Sequence, residues 1–240
     1  MATFEQGDDG VVVIIGSGAG GGTLAHELTR NGIKVVLLEA GKRESIATFS
    51  QDPGVAFGQL TWLDPRAQSG SWSVPRDFPT LPAWIAKTVG GTTVHWTGAT
   101  PRNREWEVAT RTTYGDIPGT SLIDWPIKYT TSSRTTTSLP SDDWGSHGAM
   151  AFLGCRPRTT SRCSTPAQRS GYQRVHTGYM AINPRPSDGR GLCIQQGFCA
   201  QGCKTGAKWS TLYTEIPRAE VTGKLDLRIQ CMATRMRARC

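Results

Sequence analysis

Three stretches hold residues whose types and spacing could do chemistry. The first is the run Gly16-Ser17-Gly18-Ala19-Gly20-Gly21-Gly22, preceded by the apolar segment Val11–Ile15 and followed by residues 23–31, by Lys34–Leu38 and by Glu39. The pattern predicts strand, glycine turn, helix, strand and acid, the order a dinucleotide site requires. Gly16 allows the tight turn, Gly18 lets backbone approach a pyrophosphate, and Gly21 lets the helix pack against the strand. The N–H groups at the helix start, with the positive end of its dipole, supply the anion site. Glu39 is placed to accept ribose hydroxyls and favours a free 2′-hydroxyl, so FAD or NAD rather than NADP.

The second stretch is Gly90-Gly91-Thr92-Thr93-Val94-His95-Trp96. Two glycines permit close backbone approach to a ligand, two threonines offer hydroxyls and N–H groups, and His95-Trp96 adds a nucleophilic ring and a flat wall. Read alone, it fits better a glycine turn before a buried strand, with His95 as a hydrogen-bonded core residue. The third stretch spaces Cys193, Cys199 and Cys203 among small and polar residues. Metal or redox use and three unliganded cysteines both fit this spacing. Zinc fits less well, because no clear fourth ligand is nearby.

These groups need elements to position them. Val11–Ile15 is a β-branched run suited to a fully buried parallel strand. Ala25, Leu28 and the neighbouring Leu24 mark an apolar helix face, and Asn31-Gly32 closes the helix. Residues 45–84 are broken by Pro65, Pro75, Pro79 and Pro82 and read as a long excursion anchored by Trp62, Trp72, Phe78 and Trp84. Leu225, Leu227 and Ile229 alternate as a strand does.

A chain of 240 residues can bury a core of one or two domains, although mean hydropathy is −0.36. The net charge of +8 invites a nucleic-acid reading, but its placement argues against one. Residues 130–170 carry five arginines against two aspartates, and Arg235, Arg237 and Arg239 crowd the last residues. A nucleic-acid face would mix lysine, arginine and aromatics over a folded surface. No apolar stretch reaches membrane-spanning length, and the first ten residues lack a signal pattern. A cytoplasmic protein is expected, or a periplasmic one if a partner subunit carries it.

The nucleotide fingerprint together with the Gly90-Gly91-Thr92-Thr93 loop, His95-Trp96, residues 111–115 and Asp124-Trp125-Pro126-Ile127 resembles the glucose–methanol–choline (GMC) oxidoreductases. The likeness is to the sugar-oxidising branch of pyranose oxidases and gluconate- and sugar-type dehydrogenases. It covers about residues 1–129 and 167–235. It implies an α/β fold, an FAD-binding Rossmann-like doubly wound sheet, here incomplete, with the substrate domain largely missing. Gly16, Gly18, Gly21, Glu39, Gly90, Gly91, Thr92, Thr93 and His95 are the implied FAD contacts, and His95 matches the position of covalent flavin attachment in pyranose oxidases. The implied activity is oxidation of an alcohol or sugar CH–OH group, with hydride passing to the flavin. Some multi-subunit relatives carry an iron–sulfur cluster at a similarly placed cysteine run, which makes Cys193, Cys199 and Cys203 candidate ligands and an electron-transfer subunit a candidate partner.

The chain also departs from the family. Where relatives carry Y-D-D-L-E-P-Y-Y-D, Tyr129 is followed by Thr-Thr-Ser-Ser-Arg-Thr-Thr-Thr. Deleting one base from a GC-rich coding of the family segment yields that run. Residues 130–166 are therefore read as out of frame and expected to be disordered, and residues 236–240 as an aberrant tail. No residue matches the family's catalytic His/His or His/Asn pair, for which His26, His95 and His176 are no substitutes. The expected product is an inactive truncated oxidoreductase, poorly soluble, with weak FAD retention. A non-catalytic FAD-binding fragment or pseudogene product is the alternative. An NAD-dependent dehydrogenase is a further one, although it would give the 90–93 loop no purpose.

Overall fold

The computed structural model describes residues 4–5, 7–52, 86–100, 104–130, 170–171 and 180–236. The proposed out-of-frame segment (beyond Thr130), most of the 45–84 excursion, His176 and residues 237–240 lie outside them. The described chain divides into two units: residues 1–98 with 196–240, and residues 99–195.

The first unit is built on three parallel strands, β1 (Val11–Ile15), β2 (Lys34–Leu38) and β3 (Leu225–Arg228), in the order β1-β2-β3. Val11 pairs with Lys34 and Ile15 with Leu38, while Val35 pairs with Leu225 and Leu37 with Leu227. This register lines up Ile14, Leu37 and Leu227 in a row across one face. Helix α1 (Ala19–Arg30) joins β1 to β2. Ala25 of α1 and Ile216 and Ala219 from residues 215–221 close over that row, joined by Phe49, Val89, Val94 and Leu212. Residues β3 needs thus come from about two hundred positions beyond β1.

Helix α1 begins at Ala19, four residues before the helix expected at 23–31. Gly20, Gly21 and Gly22 are therefore helical, at a propensity cost of about 0.5–1 kcal/mol each against alanine. Contact repays that cost. A Cβ on Gly22 would sit 2.7 Å from Cβ of Thr211, and one on Gly21 would run into the preceding turn. The buried stripe is Gly22, Ala25 and Thr29, flanked by Leu28. Leu24, expected on the apolar face, instead points outward and is half-exposed, because this small-residue stripe turns it away from the sheet. The closing Gly32 has φ +82°, as the Asn-Gly pair predicts.

Strand β1 also departs from expectation. Val13 is 59% exposed and Ile15 51%, where the sequence pattern predicts full burial. The cause is topological: β1 is an edge strand with β2 as its one neighbour among the described residues. Leaving such side chains half in water forgoes on the order of 1 kcal/mol each. Similarly, β3 ends at Arg228, so Ile229 lies past the strand and is exposed. The turn after Gly90-Gly91 is a short 3-10 turn, Gly91–Val94, rather than a strand.

The second unit holds two short helices, α2 (Glu105–Val108) and α3 (Thr110–Tyr114). The 124–127 motif docks on them: Trp125 N–H donates to Val108 O (2.9 Å), and the Asp124 carboxylate accepts from Thr112 N–H (3.0 Å) and Thr112 Oγ1 (2.5 Å). These bonds from Thr112 hold the Asp124 carboxyl below the usual carboxylate range.

Candidate functional site

The glycine turn has the geometry its spacing predicts. Gly16 has φ +86°, a conformation that favours glycine, and its N–H donates to Leu38 O (2.8 Å), locking the turn to β2. A Cβ on Gly21 would lie 1.9 Å from Gly16 O and 3.1 Å from Ile14 Cγ2, so glycine is what lets α1 close on the turn. At Gly18 a Cβ would meet nothing within 4 Å. The backbone at Gly18 is therefore open to approach. The first helical bond there is Gly22 N–H to Gly18 O (2.9 Å), and the earlier N–H groups precede it.

Glu39 is buried, 5% exposed. Its Oε2 accepts from Ser17 N–H (3.0 Å) and Ser17 Oγ (2.5 Å), and its Oε1 accepts from Gly41 N–H (2.8 Å). A carboxylate offers about four lone-pair sites, and three of these positions already serve the fold. The acid ties the glycine turn to the end of β2.

The second glycine pair sits directly against the first. Gly90 has φ +93° and its N–H donates to Ser17 Oγ (2.9 Å). A Cβ on Gly91 would lie 2.9 Å from Gly18 Cα. Thr93 turns its hydroxyl inward: Oγ1 donates to Gly90 O (2.5 Å) and lies 3.0 Å from Ser210 Oγ. Thr211 completes the junction, with Oγ1 donating to Ser17 O (2.9 Å). Thr92 Oγ1 accepts from Ala86 N–H (3.4 Å). Sequence reasoning missed Ser17, the hydroxyl that bridges Glu39 to Gly90. Its one signal is a polar side chain inside a glycine run.

His95 is 6% exposed, and its Nδ1 lies 3.0 Å from Ala200 O. A carbonyl can only accept, so Nδ1 carries the proton and, in the neutral ring, Nε2 carries the lone pair. Burial lowers the His95 pKa below the ordinary imidazole value. The Ala200 bond works against this, and Lys208 adds to it. The unfolded ring therefore binds a proton more readily than the folded one as pH falls through about 6.5, and stability drains on the acid side. The chain is expected to lose Tm faster between pH 6.5 and 5 than a His95→Gln variant. Parallel Tm–pH curves for the two proteins would contradict this assignment.

Lys208, also missed by the sequence reasoning, is 1% exposed. Its Nζ donates to Val94 O (2.8 Å), Trp96 O (2.6 Å) and Cys199 O (2.6 Å). Burial pushes its pKa down to about 8, against the opposing influence of Cys199 and Cys203. Trp96 Nε1 donates to Trp209 O (3.0 Å), and the two indoles meet edge to face with centroids 5.8 Å apart.

Cys199 and Cys203 lie in the first unit and Cys193 in the second. All three are half-buried and form no disulfide among the described residues. Burial pushes the Cys203 thiol up, but contacts with Thr205 Oγ1 and Lys208 N–H outweigh this and lower it. Among the described residues no group of three or more His, Cys, Asp or Glu side chains is placed to hold a metal ion. Nor does any described helix have the length and apolarity to cross a membrane.

Comparison with known proteins shows what the chain is similar to. An NAD(P)-binding Rossmann-like domain family matches residues 14–59. The chain is 26% identical to the fructose dehydrogenase large subunit of Gluconobacter japonicus, over 89% of this chain and 44% of that protein. It is 29% identical to the 6‴-hydroxyparomomycin C oxidase of Streptomyces lividus, over 82% of this chain and 36% of that protein. It is 27% identical to an uncharacterized GMC-type oxidoreductase of Mycobacterium tuberculosis (strain CDC 1551 / Oshkosh), over 88% and 30% respectively. The chain spans less than half the length of these curated relatives.

Proposed function

We propose, for a chain whose curated relatives are GMC-type oxidoreductases, that its two apposed glycine turns hold FAD and serve oxidation of the CH–OH group of an alcohol or sugar. The observation that carries this reading is the meeting of Gly18 and Gly91, 73 positions apart, with no room for a Cβ on Gly91 and open space over Gly18. Two backbone segments free of side chains converge on one point, as a flat, phosphate-bearing ligand requires.

The residues fit the cofactor. The N–H groups at the start of α1 would hold the pyrophosphate, Glu39 would take the ribose, and residues 90–95 would hold the flavin. FAD, when bound, supplies the hydride acceptor. The chain's own residues bind and orient it: Ser17 fixes the distance between the two turns, and Thr93 holds Gly90 in its turn. His95, with its lone pair on Nε2, is the candidate for covalent attachment. Cys193, Cys199 and Cys203 are candidate iron–sulfur ligands. An electron-transfer subunit is the proposed partner, a reading supported by the large-subunit relative.

Anaerobic mixing of the FAD-loaded chain with a panel of alcohols and sugars tests the activity. Bleaching of the flavin absorbance would mark an active oxidoreductase and overturn the expectation of an inactive truncated form. Stoichiometric FAD that no substrate bleaches would leave a non-catalytic FAD-binding module.

A further inference from the structure

We propose that Lys208 is the positioning residue of His95. Its ammonium fixes the main chain on both sides of the ring and, with it, the nitrogen that carries the lone pair. Two of its three acceptors, Val94 O and Trp96 O, belong to the residues flanking His95. The third, Cys199 O, is adjacent in sequence to Ala200 O, which takes the His95 Nδ1 proton. One turn of chain thus grips the lysine with one carbonyl and the imidazole with the next.

The fit is complete on the donor side, since an ammonium has three N–H groups and meets three carbonyls. No carboxylate contacts Nζ in these bonds. A buried cation is held by main-chain dipoles, and those dipoles are the ones that set the His95 backbone. Trp209, the next residue, repeats the link by accepting from Trp96 Nε1. A lysine that merely filled space would have no reason to collect the carbonyls on either side of one histidine. Relevance to the cofactor rests on the proposed flavin-facing role of residues 90–95, but the geometry does not.

The test is the His95 tautomer, read by long-range ¹H–¹⁵N correlation on the full chain without FAD and assigned by signal loss in His95→Gln. The expected spectrum is that of an Nδ1–H ring. Lys208→Met is expected to move both ring nitrogens toward an averaged tautomer mixture while Val35, Leu37 and Leu227 methyl signals report an intact core. Lys208→Arg, which keeps the cation and its donors, is expected to restore the original pattern. An Nε2–H ring in the unaltered chain overturns the proposal, as does an unchanged ring in folded Lys208→Met. If Lys208→Met does not fold, the Lys208 ¹⁵Nζ signal in the unaltered chain decides. Slow proton exchange supports the clamp, and exchange at the rate of exposed lysines overturns it. FAD titration of the same samples separates the two claims: an Nδ1–H ring in a chain that binds no FAD keeps the Lys208 assignment and defeats the flavin reading.

Discussion

Alanine at position 21 is expected to abolish dinucleotide binding and to lower stability by about 1–3 kcal/mol, the range for overpacking a close contact. The added Cβ would stand 1.9 Å from Gly16 O and 3.1 Å from Gly16 C and Ile14 Cγ2. Two of these atoms are backbone, so α1 must move off the turn and carry its N–H groups away from the pyrophosphate. Helix propensity pulls the other way by roughly 1 kcal/mol, less than such a clash costs. The control is one residue away. A Cβ on Gly20 meets nothing within 4 Å, so Gly20→Ala should keep or raise Tm. Equal behaviour of the two variants would mean that the turn and helix do not pack as described.

Glu39→Gln is expected to be comparably severe, for an electrostatic reason. The carboxylate accepts from Ser17 N–H, Ser17 Oγ and Gly41 N–H in a buried site. A glutamine offers one acceptor oxygen and turns an NH₂ toward a donor. Hydrogen bonds to charged groups contribute roughly 1.5–3 kcal/mol each, so a loss of about 3 kcal/mol is expected. For a chain of this size that is a fall of roughly 6–12 °C in Tm. FAD affinity should fall with it, because Ser17, released from Glu39, no longer holds Gly90 in register. A glutamine variant with unchanged Tm would show that these bonds do not support the fold.

Much of the site was legible in the sequence because its logic is local. Gly16, Gly18 and Gly21 are constrained by residues within a few positions, and their spacing alone assigns a turn, an approach and a packing contact. The structure shows a positive φ, open space and a close contact at those three positions. What stayed hidden is non-local. Ser17 matters because Gly90 lies 73 residues on, and Lys208 because Val94 lies 114 residues back. Neither partner can be read from a neighbouring residue. The exposure of Val13 and Ile15 has the same origin, since a β-branched run specifies a strand but not how many neighbours it finds. The start of α1 was misplaced because glycines read as loop. Here they are helical, chosen for contacts with Thr211 and the turn.

Equilibrium titration with FAD in the presence of excess NAD tests the central claim most directly, because both ligands can satisfy the glycine turn and Glu39 while the Gly90–Gly91 apposition is proposed for a flavin. The predicted result is one FAD bound per chain, undisplaced by NAD and lost in Gly21→Ala. Displacement of FAD by NAD, or saturable NAD binding with no FAD binding, would contradict it.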